Sequence, residues 1–326
     1  MMLLYPDKGI FLYGFNHKLG SVRRDLNQLQ ADQLLLGTPD VLSALGYQYT
    51  FGVGKSETLM SLAADPLSRA LPHAGDLRAF VSQHCGAESA VLHYEPNETD
   101  IAARSRYFLG ELMRELQLDH LPYFCSFASG CAGFISLLVV AGGLLSSSSE
   151  EGSTVCMMAD CAPPGVPHNM LRERILGSDH SSAFVVGRKR SGYQLLGIKY
   201  YSSTRTKIPF VEIVRRTVQM IQELASSLHL QLTAGDVAIH YPNIFPDTWK
   251  MVTRYLRIPR VEHVTDGMAE RAHCGATDSV ISLAKYHRGA EGRIHIVVNY
   301  GLGLHLAVCI LQEKANTQSI GGVKAV

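Results

Sequence analysis

The chain of 326 residues is longer than one ordinary domain and can bury a large core, either as two domains or as one duplicated fold. Its formal net charge of +1 gives no reason to expect binding to nucleic acid or to a membrane surface through bulk electrostatics. We expect no apolar run of the roughly 18 to 20 residues that span a bilayer, and no signal peptide at the amino terminus. Seven scattered cysteines, an odd number, indicate reduced thiols in a cytoplasmic protein.

Hydrophobic spacing predicts strands and helices that alternate along the chain. The predicted strands are 9–15, 90–94, 122–127, 154–159, 182–186, 193–200, 237–240, 294–299 and 304–311. The predicted helices are part of 26–45, 57–71 with a bend or break at Pro66, 76–84, 101–116, a buried helix from 131, 211–228, 247–256 and 278–286. This alternation indicates an α/β fold built from crossover units. The polar segment 188–192 divides the chain into two predicted halves, 1–190 and 191–326.

The segment 122–145, PYFCSFASGCAGFISLLVVAGGLL, predicts a buried strand, a tight turn at Ser129 and Gly130, and a helix that is apolar on all sides. Cys131 then lies at the amino end of a buried helix, where backbone N–H groups and the helix dipole favour a thiolate. The alternative is an inert buried cysteine, since free cysteine is among the most buried residue types.

Three further features could complete a thioester-forming site with Cys131. His240 ends a predicted strand in IHYPN, and His273 lies in the loop segment RAHCGATDSV. The turn NYGLG offers glycine-backed N–H donors. A thiolate would accept an acyl group, an imidazole would move protons or hold developing charge, and N–H groups would stabilise the oxyanion. The alternative is that these histidines are structural, because a chain with 14 histidines contains some Cys/His pair by chance.

Other residue clusters carry less chemistry. Cys156 and Cys161 are close in sequence, but no second pair with metal-ligand spacing accompanies them. We therefore predict no metal site.

The motifs ASGCAGF, IHYPN and VNYGLGLHLAVCIL occur in the order of those of β-ketoacyl-acyl-carrier-protein synthase III-like enzymes of the thiolase superfamily, which this chain resembles. The resemblance implies a duplicated, five-layer αβαβα fold. It implies that Cys131 is the nucleophile, that the His-x-x-Asn element is His240 to Asn243, and that the N–H groups of Cys131 and Gly303 form the oxyanion hole, with Gly301 in the same glycine-rich turn. It further implies acyl-CoA or acyl-carrier-protein substrates, usually a homodimer, and no cofactor.

The chain departs from this family at its third catalytic residue, where His273 replaces an Asn. The resemblance implies that Cys131 is acylated and then condensed, Claisen fashion, with a malonyl or β-keto thioester, as in fatty-acid or specialised-metabolite biosynthesis. A histidine at position 273 could instead act as a base toward a hydroxyl, amine or activated carbon. Transfer to an oxygen or nitrogen acceptor is therefore the first alternative. A hydrolase and a non-catalytic partner subunit, which would form a heterodimer with a related chain, are the others.

Overall fold

The computed structural model of the protein describes residues 1–127, 129–147, 151–163, 165–170, 174–205, 208–265, 267–301 and 305–315. Its strands are β1 (Met2–Leu4), β2 (Phe11–Leu19), β3 (Val22–Asp25), β4 (Tyr49–Gly52), β5 (Leu77–Gln83), β6 (Val91–Tyr94), β7 (Ser105–Tyr107), β8 (Tyr123–Ser126), β9 (Ser153–Asp160), β10 (Asn169–Met170), β11 (Ile175–Leu176), β12 (His180–Gly187), β13 (Tyr193–Ser202), β14 (Val237–His240), β15 (Val261–Val264), β16 (Ile294–Gly301) and β17 (His305–Glu313). Its helices are α1 (Leu26–Ala31), α2 (Pro39–Ala44), α3 (Leu59–Ala70), α4 (Ile101–Arg104), α5 (Phe108–Glu115), α6 (Gly133–Ser147), α7 (Phe210–Ser227), α8 (Pro246–Leu256), α9 (Met268–Arg271) and α10 (Thr277–Tyr286).

The large sheet is built twice from the same pattern. Its order is β15-β14-β16-β17-β13-β2-β12-β9-β5-β8, with β1 added beside β13. In the first half, β5 runs parallel to β8 and β9, and β12 lies antiparallel to both β9 and β2. In the second half, β14 runs parallel to β15 and β16, and β17 lies antiparallel to both β16 and β13. The strand order and directions therefore repeat, and the chain is an internal duplication.

Three apolar clusters fix the layers. One packs α3 and α5 on the outer face of the first-half strands. A second packs α7 and α8 on the outer face of the second-half strands. The third fills the centre with α6 and α10, which contact strands of both halves. The order is helix, sheet, helix, sheet, helix, so the predicted α/β, five-layer duplicated fold is confirmed. The division at residue 190 falls between β12 and β13 and stays a prediction.

Several sequence-predicted elements need correction. The predicted helix 76–84 is instead the strand β5, Leu77–Gln83. Its residues 79–83 are buried between β8 and β9, as in a fully covered parallel strand. Pro66 does not divide α3, which continues through it to Ala70. Residues 101–116 form α4, β7 and α5 instead of one helix. The strand at 122–127 is not buried, because β8 lies at the edge of the sheet with Tyr123 and Phe124 exposed.

The central helix also corrects the expectation about apolar runs. The helical segment Gly130–Ser147 is long and apolar enough to cross a membrane by length and composition alone. In the structure, 61% of it is buried inside the protein, between the sheets of both halves. It occupies the position of a core helix.

Candidate active site

Cys131 lies in a short helical turn, Gly130–Ala132, that leads into α6. Gly130 adopts a positive φ of 49°, which lets the chain turn sharply into the helix. The Gln83 side chain fixes this turn by donating a hydrogen bond to the Gly130 carbonyl at 2.8 Å. It also lies so close to Gly133 that a Cβ there would be 2.0 Å from the Gln83 amide. Cys131 is therefore held by packing on both sides, with 7% of its surface exposed.

His273 is positioned by the turn that precedes β12. Its backbone N–H donates to the Leu176 carbonyl, and its carbonyl accepts from the Ser178 N–H, both at 2.9 Å. Gly177 and His273 form an isolated parallel bridge. The segment Gly177 to Asp179 thus aligns the loop that carries His273.

Asp278 holds the His273 ring. Its Oδ2 atom lies 2.6 Å from His273 Nδ1, and its Oδ1 atom accepts from Arg271 Nη1 at 2.5 Å. Asn243 adds a third contact, because its backbone N–H donates to Asp278 Oδ2 at 3.0 Å. With Nδ1 engaged in this way, Nε2 is the ring nitrogen left to interact with the Cys131 sulfur. The arrangement is a Cys–His–Asp series in which the carboxylate orients the imidazole.

The charges in this series stabilise one another. The pKa of Cys131 lies well below its usual range, chiefly because the Cys85 thiol donates a hydrogen bond to its sulfur; burial opposes this, and His273 adds a favourable charge. Burial would lower the pKa of His273, but the negative charges of Cys131 and Asp278 raise it to about 10. Burial likewise opposes ionisation of Asp278, yet His273 and Arg271 hold its pKa well below the usual range. These interactions favour a thiolate and an imidazolium in the pair.

A cavity of about 360 Å³ opens over Cys131 and His273. Its apolar lining includes Phe127, Val166 and Pro167. Its polar lining includes Cys85, Asp160, Asp179 and His180. Such a mixed cavity can hold an apolar group against the sulfur and leave polar side chains for a second reactant.

The structure does not bring His240 to this cavity. Its Nδ1 atom lies 2.5 Å from Ser282 Oγ, and its Nε2 atom lies 2.9 Å from His295 Nδ1. His295 in turn contacts Glu313, which is fully buried. Burial lowers the pKa of His240 well below its ordinary value, so the ring is neutral. Because side chains alternate in direction along a strand, the end of β14 can aim this ring into the core.

The other sequence-predicted residues lie around the site in different ways. The backbone N–H of Asn243 contacts Asp278. Its side-chain amide donates to the Ala272 carbonyl at 3.0 Å, next to His273. Gly301 packs against the Cys131 turn so tightly that a Cβ would lie 2.2 Å from the Ser129 carbonyl oxygen. Gly303 lies outside the described residues, so its predicted oxyanion role is not tested. Within the described residues, no group of three His, Cys, Asp or Glu side chains could hold a metal ion.

Three residues of the site were missed in the sequence. Asp278 reads as an ordinary acid in the first turn of a helix, although its spacing of five from His273 could have suggested contact. Cys85 lies one residue beyond the predicted helix 76–84, and no sequence motif marks it. Asp160 follows a buried strand, a position at a sheet edge where functional carboxylates are common.

No family model matches this chain, and no curated protein matches it. Solved structures do. The 3-oxoacyl-[acyl-carrier-protein] synthase III of Aquifex aeolicus VF5 matches with a TM-score of 0.71 at 15% identity, over 93% of this chain and 99% of that one. The tetronic acid condensing enzyme AbyA1 matches with a TM-score of 0.71 at 16% identity, over 93% of this chain and 99% of that one. The acyltransferase ChlB3 matches with a TM-score of 0.73 at 15% identity, over 94% of this chain and 98% of that one. The chain therefore has the thiolase-type fold of the synthase III structures.

Proposed function

We propose that the protein is an acyltransferase of the thiolase fold that carries the acyl group on Cys131. The observation that carries this proposal is the Cys131–His273–Asp278 series at the base of a mixed cavity. The names of the similar structures, which include condensing enzymes and an acyltransferase, support the same class of reaction. A thioester donor, either acyl-CoA or an acyl-carrier protein, is the substrate class that a stabilised thiolate attacks most readily.

In the first step, the Cys131 thiolate attacks the carbonyl carbon of the donor thioester. The carbon–sulfur bond to the donor breaks as the bond to Cys131 forms. The departing thiolate takes the proton from His273 Nε2, which leaves a neutral imidazole and a neutral acyl-enzyme. Backbone N–H groups, proposed to be those of Cys131 and Gly303, stabilise the oxyanion of the tetrahedral intermediate.

In the second step, the neutral His273 acts as a base. Its Nδ1 proton stays on the Asp278 side, so Nε2 presents a lone pair toward Cys131. An acceptor hydroxyl or amine gives its proton to Nε2 as its oxygen or nitrogen attacks the thioester. Cys131 then leaves as a thiolate beside a protonated His273, and the starting state is restored. This geometry favours transfer to an oxygen or nitrogen acceptor.

Claisen condensation with a malonyl or β-keto thioester is the second candidate. The names of the similar condensing enzymes favour it. An enolate would need hydrogen-bond donors, and of the two predicted histidines His240 faces the core and not the cavity. Condensation would therefore have to rely on His273.

We also propose a dimer and a cytoplasmic location. Within the described residues, β8 pairs with β5 alone, and its outer edge carries the exposed Tyr123 and Phe124. An unpaired, apolar edge strand is suited to pairing with a second chain. β8 lies shortly before Cys131 in the chain, so a dimer formed there would border the active site. All seven cysteines are free thiols, which fits a reducing compartment.

Intact-protein mass spectrometry tests the proposal. The wild type and Cys131→Ala are incubated with acyl-CoA and acyl-carrier-protein thioesters, and then with an alcohol, an amine or malonyl-CoA. We expect an acyl adduct that requires Cys131 and is discharged by a hydroxyl or amine. Discharge by malonyl-CoA with carbon dioxide release would mean condensation, and discharge by water alone would mean hydrolysis. No adduct from any donor would refute the covalent mechanism.

A further inference from the structure

A second thiol lies against the nucleophile. Cys85 follows β5, and its thiol is the largest influence that lowers the pKa of Cys131. Both residues line the same cavity, so both sulfurs can meet a small solute. Two cysteines that line one cavity and influence each other's ionisation, one of them a thiolate, form a pair that can be oxidised together.

Cys85 is held in this position by its surroundings. Its backbone N–H donates to both carboxylate oxygens of Asp160, at 2.8 Å and 2.9 Å. Its sulfur occupies the space over Gly275, where a Cβ would come within 2.8 Å of Cys85 Sγ. Gly275 lies two residues after His273, so the glycine opens room for a second thiol beside the triad.

We propose that Cys85 and Cys131 form a reversible disulfide, and that this pair is a site of modification by peroxides. The Cys131 thiolate attacks one oxygen of hydrogen peroxide and the oxygen–oxygen bond breaks. Cys131 becomes a sulfenic acid, and the released hydroxide takes the proton of His273 to form water. The Cys85 sulfur then attacks the Cys131 sulfur, the Cys131 sulfur–oxygen bond breaks, and the Cys85 proton leaves with the hydroxide as water. The two thiols have lost two hydrogens and peroxide has been reduced to two waters. A dithiol reverses the reaction by exchange.

The charge of Cys131 controls the order of these steps. In the resting site, the hydrogen bond to Cys131 is the largest influence that raises the pKa of Cys85, with burial and the charge of Asp160 acting in the same direction. Cys85 therefore keeps its proton while Cys131 is the thiolate. Oxidation of Cys131 to a sulfenic acid removes its negative charge, and Cys85 becomes easier to ionise at the moment when it is needed as the attacking thiol.

A third cysteine supplies an internal control. Cys161 lines the same cavity, but Cys131 is not among the groups that shift its pKa. Burial and the charge of Asp179 raise its pKa to a value well above the ordinary range, so its thiol is unreactive. If proximity within the cavity were sufficient, Cys161 would compete with Cys85 for the oxidised nucleophile.

The test is oxidation of the full chain with hydrogen peroxide in the absence of any acyl donor, followed by alkylation of the remaining thiols and mass spectrometry. Chymotryptic cleavage after Phe127 and Phe134 separates Cys131 from Cys125 and Cys156, and cleavage after Phe80 and Leu92 isolates Cys85. We expect the wild type to lose two hydrogens, to yield a peptide cross-linked between Cys85 and Cys131, and to recover both thiols with dithiothreitol.

Cys161→Ala should give the same cross-link. Cys85→Ala and the closer mimic Cys85→Ser should give none, and their Cys131 should instead gain oxygen atoms that dithiothreitol does not fully remove. A wild type whose Cys131 gains oxygen without a cross-link, or links to Cys161, would overturn the proposal. This experiment measures thiol oxidation only. Its result therefore does not depend on whether Cys131 can be loaded with an acyl group.

Discussion

His273 Nδ1 lies 2.6 Å from Asp278 Oδ2, and this contact determines which ring nitrogen interacts with Cys131. Arg271 completes the series by pairing with the other oxygen of the same carboxylate. Four ionisable groups thus alternate in charge from the sulfur inward, and each stabilises the ionised state of the next. The reactivity of Cys131 depends on this chain of charges.

Removal of the His273 imidazole should slow the alkylation of the Cys131 thiol. In His273→Asn, which restores the residue type of the related family, Cys131 loses its nearest cation and its pKa rises. We expect alkylation of Cys131 by iodoacetamide at pH 7 to slow by about tenfold or more, since one pKa unit is a factor of ten in thiolate. His229→Asn, at an exposed position just beyond the carboxyl end of α7, is the matched control and should leave the rate unchanged. An unaltered rate in His273→Asn would show that the imidazole does not stabilise the thiolate.

The pH dependence of Cys131 should differ from that of an ordinary thiol. Its pKa is lowered from 9, and that of His273 is raised to about 10. The ion pair is therefore lost when His273 gives up its proton, as the pH rises through about 10. The raised pKa of His273 stabilises the folded protein fully below pH 6.5, and this stabilisation is lost as the pH rises through about 10. Alkylation followed by mass spectrometry should give a plateau across pH 7 to 9; a rate that climbs with a midpoint near 9 would contradict the ion pair.

The sequence identified Cys131 and His273 as candidate site residues, but not Asp278, which holds the His273 ring. Cys131 is visible because an aromatic strand, a glycine turn and a fully apolar helix follow one another, and this local pattern determines its position. Asp278 is not visible, because its role comes from contacts with Arg271 and His273 and with the backbone of Asn243, which is distant in the chain. His240 was assigned by its motif, but a motif does not specify the face of a strand, and a change of one residue in register reverses the direction of a side chain.

Fold-level prediction failed where burial conceals periodicity. β5 is covered on both faces, so its apolar residues do not alternate with polar ones, and its spacing was read as helical. The prediction for β8 is wrong in the opposite sense. Its aromatic content predicted burial, but its position at the edge of the sheet leaves it exposed. Both errors concern the place of a strand in the sheet, which depends on pairing with distant segments.

His240 should matter for stability and not for the chemistry at Cys131. His240→Ala leaves Ser282 and His295 without their partner in a buried setting. We expect a loss of about 1–3 kcal/mol in the free energy of unfolding, the usual cost of an unsatisfied buried polar group. Urea denaturation would measure this loss, and iodoacetamide alkylation under native conditions should be unchanged. A slower alkylation in a variant that remains folded would place His240 within reach of the thiol.

Gly301 should be intolerant of any side chain. In Gly301→Ala, the new Cβ would lie 2.2 Å from the Ser129 carbonyl oxygen, so the strand or the Cys131 turn must shift. We expect a destabilisation of about 1–3 kcal/mol, typical of overpacking, together with slower alkylation of Cys131. Gly143→Ala is the control: it lies in α6 with no atom within 4 Å of its Cβ, and it should stabilise by about 0.5–1 kcal/mol. Equal effects of both substitutions in thermal denaturation would argue against a special contact at Gly301.

The exposed edge of β8 should mediate dimerisation. Phe124 is 43% exposed on a strand that, in the described chain, pairs with β5 alone. Phe124→Glu places a charge on this edge, and we expect sedimentation velocity to report a monomer where the wild type is a dimer, because strand edges that carry charge resist pairing. Tyr255→Glu, on α8 and 56% exposed, is the control and should remain dimeric. A dimer that persists in Phe124→Glu would place the interface elsewhere, whereas a monomeric wild type would show that β8 is a free edge in solution.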